Sequence, residues 1–356
     1  MVKASYFTRT FDFKFPAGTS RGVLLQKTSS FLVLRDDCGD YAGVGECSTI
    51  PGLSPDPMER YEAKLQELCE AINQGNRLDE VDLTEFPSVR FGLEMAMQEA
   101  LQRKVETKSR SGYASCDDFL SAPHLLFPSD FTLGKQGIPI NGLIWMGDKQ
   151  FMQQQIARKL DEGYRCLKMK VGALDFDTEL DILRAVRRHF SPGSLELRVD
   201  ANGAFPVERA LDQLSELAPF QLHSIEQPIR RGQPDAMASL CRTSPIPIAL
   251  DEELIAYPLH RAEELLRYIR PAYIILKPSL LGGFAGAQRW IDAAGATGTG
   301  WWVTSALEAN IGLNAIAQWT FTLGNPLPQG LGTGQLYTNN IPSWLAIKDA
   351  QVIITG

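Results

Sequence analysis

The chain has 356 residues, of which 44% are hydrophobic and 22% charged, with a formal net charge of −7 and a pI near 5.3. This balance excludes a disordered or fibrous protein and argues against a nucleic-acid or anionic-membrane surface, leaving small molecules as the default partners. The length suits two domains or a large barrel with an appendage.

Residues 1–16, MVKASYFTRTFDFKFP, lack the apolar core of a signal peptide, and no run approaches a transmembrane span. The protein is therefore expected in the cytoplasm. Its six cysteines show neither CxxC nor Cys/His metal spacing, which predicts reduced, structural thiols.

Residues 1–135 read as an α+β unit. Segments 4–15, 23–35 and 41–47 alternate polar with apolar residues between turn-forming stretches, as antiparallel strands do. Residues 58–73 place Leu65, Leu68 and Ile72 at helical spacing, and 88–101 read as a second helix with Ser88 as its N-cap. The loop CSTIPGLSPDP (47–57) lies between strands and helices and is either a lid or a connector. Arg21 and Ser54, in two loop regions of this unit, are candidate substrate contacts.

From Pro139 onward a strand–helix unit repeats. Apolar runs stand at 139–146, 166–171, 195–200, 223–228, 247–251, 272–277 and 300–305, with a weaker one at 328–333. Among the helices between them, 175–190 turns Phe176, Leu180, Leu183, Val186 and Phe190 to one face, with an acidic start and a basic end. Residues 206–217 turn Ala210, Leu211, Leu214 and Leu217 inward. The pattern predicts an α/β fold with a barrel of parallel strands, and a doubly wound open sheet uses the same unit.

Charged residues stand at successive strand ends: Lys168 and Lys170, then Asp200, Glu226, Asp251 and Lys277. The successive spacings, 200 to 226, 226 to 251 and 251 to 277, are 26, 25 and 26 residues, one repeat each. In a barrel these ends rise to one rim, so three carboxylates converge and call for a divalent cation; all-oxygen ligands favour Mg2+, with Mn2+ as a substitute. Strands two and six face each other across a ring of eight, which puts ammonium groups on both sides of a bound carboxylate substrate.

The ordered set KxK (Lys168, Lys170), DAN (Asp200, with Asn202), EQP (Glu226), DE (Asp251) and KP (Lys277) resembles the muconate-lactonizing subgroup of the enolase superfamily. The resemblance implies a (β/α)7β barrel of the TIM type over residues 136–340. It also implies an α+β capping domain over 1–135, joined by the tail 341–356. The implied metal ligands are Asp200, Glu226 and Asp251. The implied chemistry is abstraction of a proton next to a carboxylate to give an enediolate. None of His124, His189, His223 and His260 follows strand six, which removes the route that uses a histidine base.

Residues 304–319 and 329–340 resemble the o-succinylbenzoate synthase branch, which implies a carbon–oxygen lyase dehydrating a cyclohexadiene carboxylate in menaquinone biosynthesis. Lys170 would then be the base, Lys168 would stabilise the enediolate, and Lys277 would act as a fixed charge or, in a racemase, as a second acid/base. Asn202, Ser305 and Gly332 are further candidate contacts, Gly332 standing where an Asp is common. N-acylamino acid racemase, dipeptide epimerase and muconate cycloisomerase are alternatives within the superfamily. A non-catalytic metal-binding barrel is the alternative from another class, and leaves the three lysines unexplained. These features do not fix an oligomeric state.

Overall fold

The computed structural model describes residues 2–19, 22–76, 81–105, 113, 115–172 and 174–355. The amino-terminal unit is an antiparallel sheet of β1 (Lys3–Thr19), β2 (Gly22–Arg35) and β3 (Tyr41–Ser48), in that order. Helices α1 (Met58–Gln74) and α2 (Pro87–Val105) cover it, and the short α3 (Cys116–Leu120) follows. Leu65, Leu68 and Ile72 of α1 are buried with Leu32 and Leu34 of β2, as their spacing predicts.

Ser88 does not cap α2. The helix starts one residue earlier, at Pro87, and the Ser88 N–H and hydroxyl both donate to Asp56 Oδ1, at 3.1 and 2.6 Å. A proline suits a first helical turn because its missing N–H has no partner there in any case.

After β4 (Ile138–Pro139) the strand–helix repeat begins with β5 (Gly142–Ile144) and α4 (Lys149–Asp161). It continues through β6 (Cys166–Lys170), α5 (Phe176–His189), β7 (Glu196–Asp200), α6 (Val207–Leu217), β8 (Ser224–Glu226) and α7 (Pro234–Thr243). Next come β9 (Ile248–Leu250), α8 (Ala262–Ile269), β10 (Tyr273–Leu276), α9 (Pro278–Leu281), α10 (Gly283–Thr297), β11 (Gly300–Val303) and α11 (Asn310–Thr322). Strands β5 to β11 form one parallel sheet in sequential order.

The expected eighth strand is reduced to two parallel bridges, Ile140 with Gln329 and Thr304 with Gly330. They join the two edges of the sheet and close the ring, which decides against the open sheet. Gly330 is required for that closure, since a Cβ there would meet Thr304 Oγ1 at 1.8 Å. The expected strand 139–146 is divided, because β4 pairs not with the barrel but with β13 (Gln351–Ile354), itself paired with β12 (Leu345–Lys348). Residues 336–338 run beside β1, with Lys14 N donating to Leu336 O and Thr338 N to Asp12 O.

Helix α5 follows its sequence: Asp175 accepts from Thr178 N, Asp177 and Glu179 open it and Arg187, Arg188 and His189 close it, matching the helix dipole. Leu211 departs from the predicted inward face of α6 and is exposed, leaving Ala210, Leu214 and Leu217 to bury. All six cysteines are free. Among the described residues no helix is long and apolar enough to cross a membrane.

Asp56 anchors the 47–57 loop to α2 at a cost that depends on pH. Burial pushes its carboxyl up from the usual range to about 6, against the pull of the Ser88 hydrogen bonds, and Oδ2 is buried without a hydrogen-bond partner. Because the folded chain holds this proton more tightly than the unfolded chain, stability falls as pH rises from the unfolded carboxyl range through about 6. The loss is about 2–3 kcal/mol. Asp56→Asn keeps the Oδ1 acceptor and cannot ionise, so its stability relative to wild type should climb across that window. Urea denaturation of both proteins between acid and neutral pH checks this, and a difference that does not change with pH would refute it.

Candidate active site

Strand β6 directs Cys166, Lys168 and Lys170 to the interior of the barrel, because successive side chains alternate between faces. The parallel register then sets Lys170 beside Asp200 and Asp200 beside Glu226 on three adjacent strands. Asp251 directly follows β9 and Lys277 directly follows β10. The six predicted residues therefore meet at one end of the barrel, at the carboxyl ends of its strands, where sites of this architecture are built.

The carboxylates are almost fully buried, with Asp200 0%, Glu226 2% and Asp251 2% exposed. Lysines compensate them. Lys168 Nζ lies 2.9 Å from Asp200 Oδ2 and 2.5 Å from Glu226 Oε2, Lys170 Nζ lies 2.6 Å from Asp200 Oδ2, and Lys277 Nζ is paired with Asp251 Oδ2. Burial alone would lower the Lys168 pKa, but Asp200, Glu226 and Asp251 together raise it above the usual lysine range. Lys277 is likewise raised, by Asp251 and Glu226 against burial. Burial would raise Asp200, yet Lys168 and Lys170 hold it well below the usual carboxylate range. Glu226 goes the other way: burial and the Asp200 and Asp251 charges push it well up.

Glu226 Oε1 is buried with no hydrogen-bond partner. An orphaned oxygen on a carboxyl pressed by two other carboxylates is what a cation ligand looks like before the cation arrives, so the donor set fits a hard divalent ion. The three groups do not form a closed cage. Among the described residues, the trio of acidic and thiol side chains whose ligand atoms fall within 4.8 Å of one another is the Asp36–Asp37–Cys38 turn, far along the sequence from the barrel. Here ammonium groups are paired with the carboxylates.

Asn202 belongs to the site. In a left-handed conformation (φ 44°), its Oδ1 accepts from Lys170 at 2.5 Å and its Nδ2 donates to Glu252 Oε1 at 2.9 Å. Gln227, also left-handed (φ 41°), accepts on Oε1 from the Asp251 and Glu253 N–H groups and so aims Asp251. Gln227 directly follows β8 and Asn202 lies two residues past β7, where the chain must turn without losing the strand-end carboxylate.

A cavity of about 120 Å³ stands over the lysines. Its walls come from the loop after β3 (Ile50, Leu53), the first strand region (Asn141, Leu143, Trp145), the loop after β11 (Thr304, Ser305, Ala306, Leu307) and the closing segment (Gly330, Gly332, Thr333). Lys168, Lys170, Asn202, Glu252 and Lys277 face it from below. The volume is under the ~300 Å³ at which pockets for drug-sized ligands begin.

Of the further candidates, Ser305 and Gly332 line this cavity, and Thr333 Oγ1 donates to Ser305 Oγ at 2.7 Å. Ser54 does not line it; its hydroxyl accepts the Ile50 N–H at 2.8 Å and shapes the loop that carries Ile50 and Leu53. Arg21 lies outside the described residues. His223 packs flat on Tyr273 at 4.8 Å below the site, a packing role. Sequence reasoning missed Asn141, whose Oδ1 is buried, unpartnered and on the cavity wall. Its signal was available: an Asn within an apolar strand run has no packing rationale.

Residues 152–355 match the family model described as enolase C-terminal domain-like, and residues 12–100 match that of the MenC N-terminal domain. The chain is 48% identical, over 97% of both chains, to an o-succinylbenzoate synthase from Desulfotalea psychrophila. The crystal structure of MenC from that organism superimposes with a TM-score of 0.81 at 43% identity, covering 99% of each chain. The L-Ala-D/L-Glu epimerase from Bacillus subtilis shares the fold, with a TM-score of 0.80 at 18% identity, covering 99% of this chain and 96% of its own. The chain belongs to the o-succinylbenzoate synthase family of the enolase superfamily. Members of that superfamily use a divalent metal ion.

Replacing Asp200, Glu226 or Asp251 by the matching amide conserves volume and removes one charge, and should weaken divalent-cation binding and turnover together. Calorimetric titration with the cation tests this, and unchanged affinity would exclude the residue as a ligand. At Gly332 a Cβ would meet only Ile140 Cδ1 at 3.6 Å and Asn141 O at 3.9 Å, so Gly332→Asp should fold normally. Its carboxylate would face an anionic substrate, and kcat/KM should fall by about 10²-fold, near 2.7 kcal/mol. Steady-state kinetics with a melting curve check both halves.

Proposed function

We propose that this chain dehydrates 2-succinyl-6-hydroxy-2,4-cyclohexadiene-1-carboxylate to o-succinylbenzoate in the cytoplasm, as a step of menaquinone biosynthesis, with Mg2+ as its metal and Mn2+ as a substitute. On this reading residues 136–340 are the catalytic barrel and 1–135 its cap. The observation that carries the proposal is the pair of facing lysine sets over buried carboxylates, in a chain whose near full-length relative is an o-succinylbenzoate synthase.

A carbon acid next to a carboxylate is too weak for an amine base in water, so the charge that develops on the carboxylate oxygens has to be met where it forms. Asp200, Glu226 and Asp251 would hold a divalent cation, which would supply that positive charge. Lys168, the more deeply buried of the β6 pair, stands beside the same oxygens as a permanent donor. Lys170, as the neutral amine, takes the proton from the ring carbon that bears the carboxylate and becomes an ammonium, and the electron pair left behind forms the enediolate. The same ammonium then returns its proton to the hydroxyl on the neighbouring ring carbon; the enediolate electron pair forms the new ring double bond as the C–O bond breaks, the oxygen departs as water, and Lys170 is again the neutral amine. One base serves both steps because hydrogen and hydroxyl leave from the same face. Asn202 holds the Lys170 nitrogen on line from the strand β7 side. Lys277, reached from β10, contributes fixed charge at the other face.

Lys170→Ala should abolish both α-proton exchange and dehydration, by about 10²–10⁴-fold for each acid–base step. Lys277→Arg keeps the charge and cannot act as a base at neutral pH, so dehydration should persist in part while any racemase activity is lost. Deuterium exchange, dehydration and racemisation of N-succinylamino acids are to be measured in both variants. Dehydration that survives in Lys170→Ala and fails in Lys277→Arg would move the base to the β10 side.

A further inference from the structure

Above the site, a buried charge cluster that the reaction does not use joins the cap to the mouth of the barrel. Lys27 on β2 is 3% exposed, an unusual place for a lysine. Its ammonium donates to the Leu307 carbonyl at 2.8 Å and to the Ser48 hydroxyl. Two carboxylates complete the cluster. Glu46 on β3 accepts from Ser29 Oγ, Ala309 N and Gly312 N at 2.8 to 2.9 Å, and Glu308 accepts from Ser279 Oγ at 2.5 Å and Ala306 N at 2.6 Å. Burial lowers the Lys27 pKa while Glu46 and Glu308 oppose the fall.

The Leu307 carbonyl receives a second donor, the Tyr337 hydroxyl at 2.6 Å, and the Leu307 N–H donates to Ser305 Oγ at 3.0 Å. Leu307 itself has φ 62°, a left-handed conformation that a leucine rarely adopts. Such a backbone persists where its surroundings over-determine it. The conformation has a use: Leu307 lines the cavity and packs with the cluster of Ile50, Ile255, Leu280 and Ala306, alongside Leu53.

We infer that Lys27 and Tyr337 are positioning residues that pin the Leu307 carbonyl from the cap and from the closing segment, so that the cap sets the shape of the substrate mouth. The consequence for substrate affinity rests on the dehydratase reading; the pinning does not. The pin acts on the wall of the cavity and leaves the lysines and carboxylates beneath it in place.

Tyr337→Phe removes one donor without uncovering a charge. Lys27→Met with Glu308→Gln removes the other while keeping the buried charge balanced, and Glu308→Gln alone is its control. In the full-length protein, hydrogen exchange at residues 304–309 should become about tenfold faster in both donor-deleted variants. With Mg2+ and the cyclohexadiene carboxylate, KM should rise about three- to tenfold with kcat within about twofold of wild type. Unchanged exchange in the folded variants overturns the inference, as does a fall in kcat at constant KM. Faster exchange in the variants of a protein whose wild type does not dehydrate would uphold the pin and remove the proposed reaction.

Discussion

Three carboxylates buried side by side are the constraint on which this structure depends. In a medium of low dielectric, like charges at this range cannot all be ionised unless positive charge lies among them. Asp200, Glu226 and Asp251 meet the requirement with Lys168, Lys170 and Lys277, each drawn onto a carboxylate. The parallel register does most of the arranging, because residues level on adjacent strands are forced to be neighbours. The lysines that neutralise the floor are the same groups that line the cavity above it.

A second set of buried charges governs how the cap meets the barrel. Glu46 comes from a capping strand and accepts two N–H groups at the start of α11, a barrel helix, where the helix dipole favours an anion. This is helix capping across a long stretch of sequence. It fixes the angle at which β3 approaches the mouth, and the loop that follows β3 supplies Ile50 and Leu53 to the cavity. The cap is thus wired to the wall of the site.

What the sequence made legible follows from the range of the interactions. Strand–helix periodicity and a residue spacing of one repeat are local signals, so the barrel and its six strand-end charges could be read directly. The Gln227 turn was visible as part of EQP, but its purpose, accepting the Asp251 N–H, needs the neighbouring strand. Ser88 carried the usual helix-start signal and was claimed instead by Asp56. The eighth strand faded because two bridges suffice to close the ring, leaving no alternating run to detect. Lys27, Glu46 and Tyr337 left no local trace, since each finds its partner in a segment that is remote in sequence.

The floor and the wall also differ mechanically. Floor residues stand on hydrogen-bonded strands or directly after them, so their geometry is over-determined and a small shift would break several ladder bonds at once. Most wall residues sit on loops, one of them in a strained conformation held by side-chain donors from elsewhere. Changing the loop residues of the wall other than the Thr304–Gly330 bridge leaves the sheet intact, whereas changing the floor unbalances buried charge. A fold built this way can keep one proton-abstracting floor while its wall is remodelled for different carboxylates, and a shared fold alone therefore does not identify the substrate. In this chain the wall offers the open space at Gly332, the unpartnered Asn141 side-chain oxygen and the pinned Leu307.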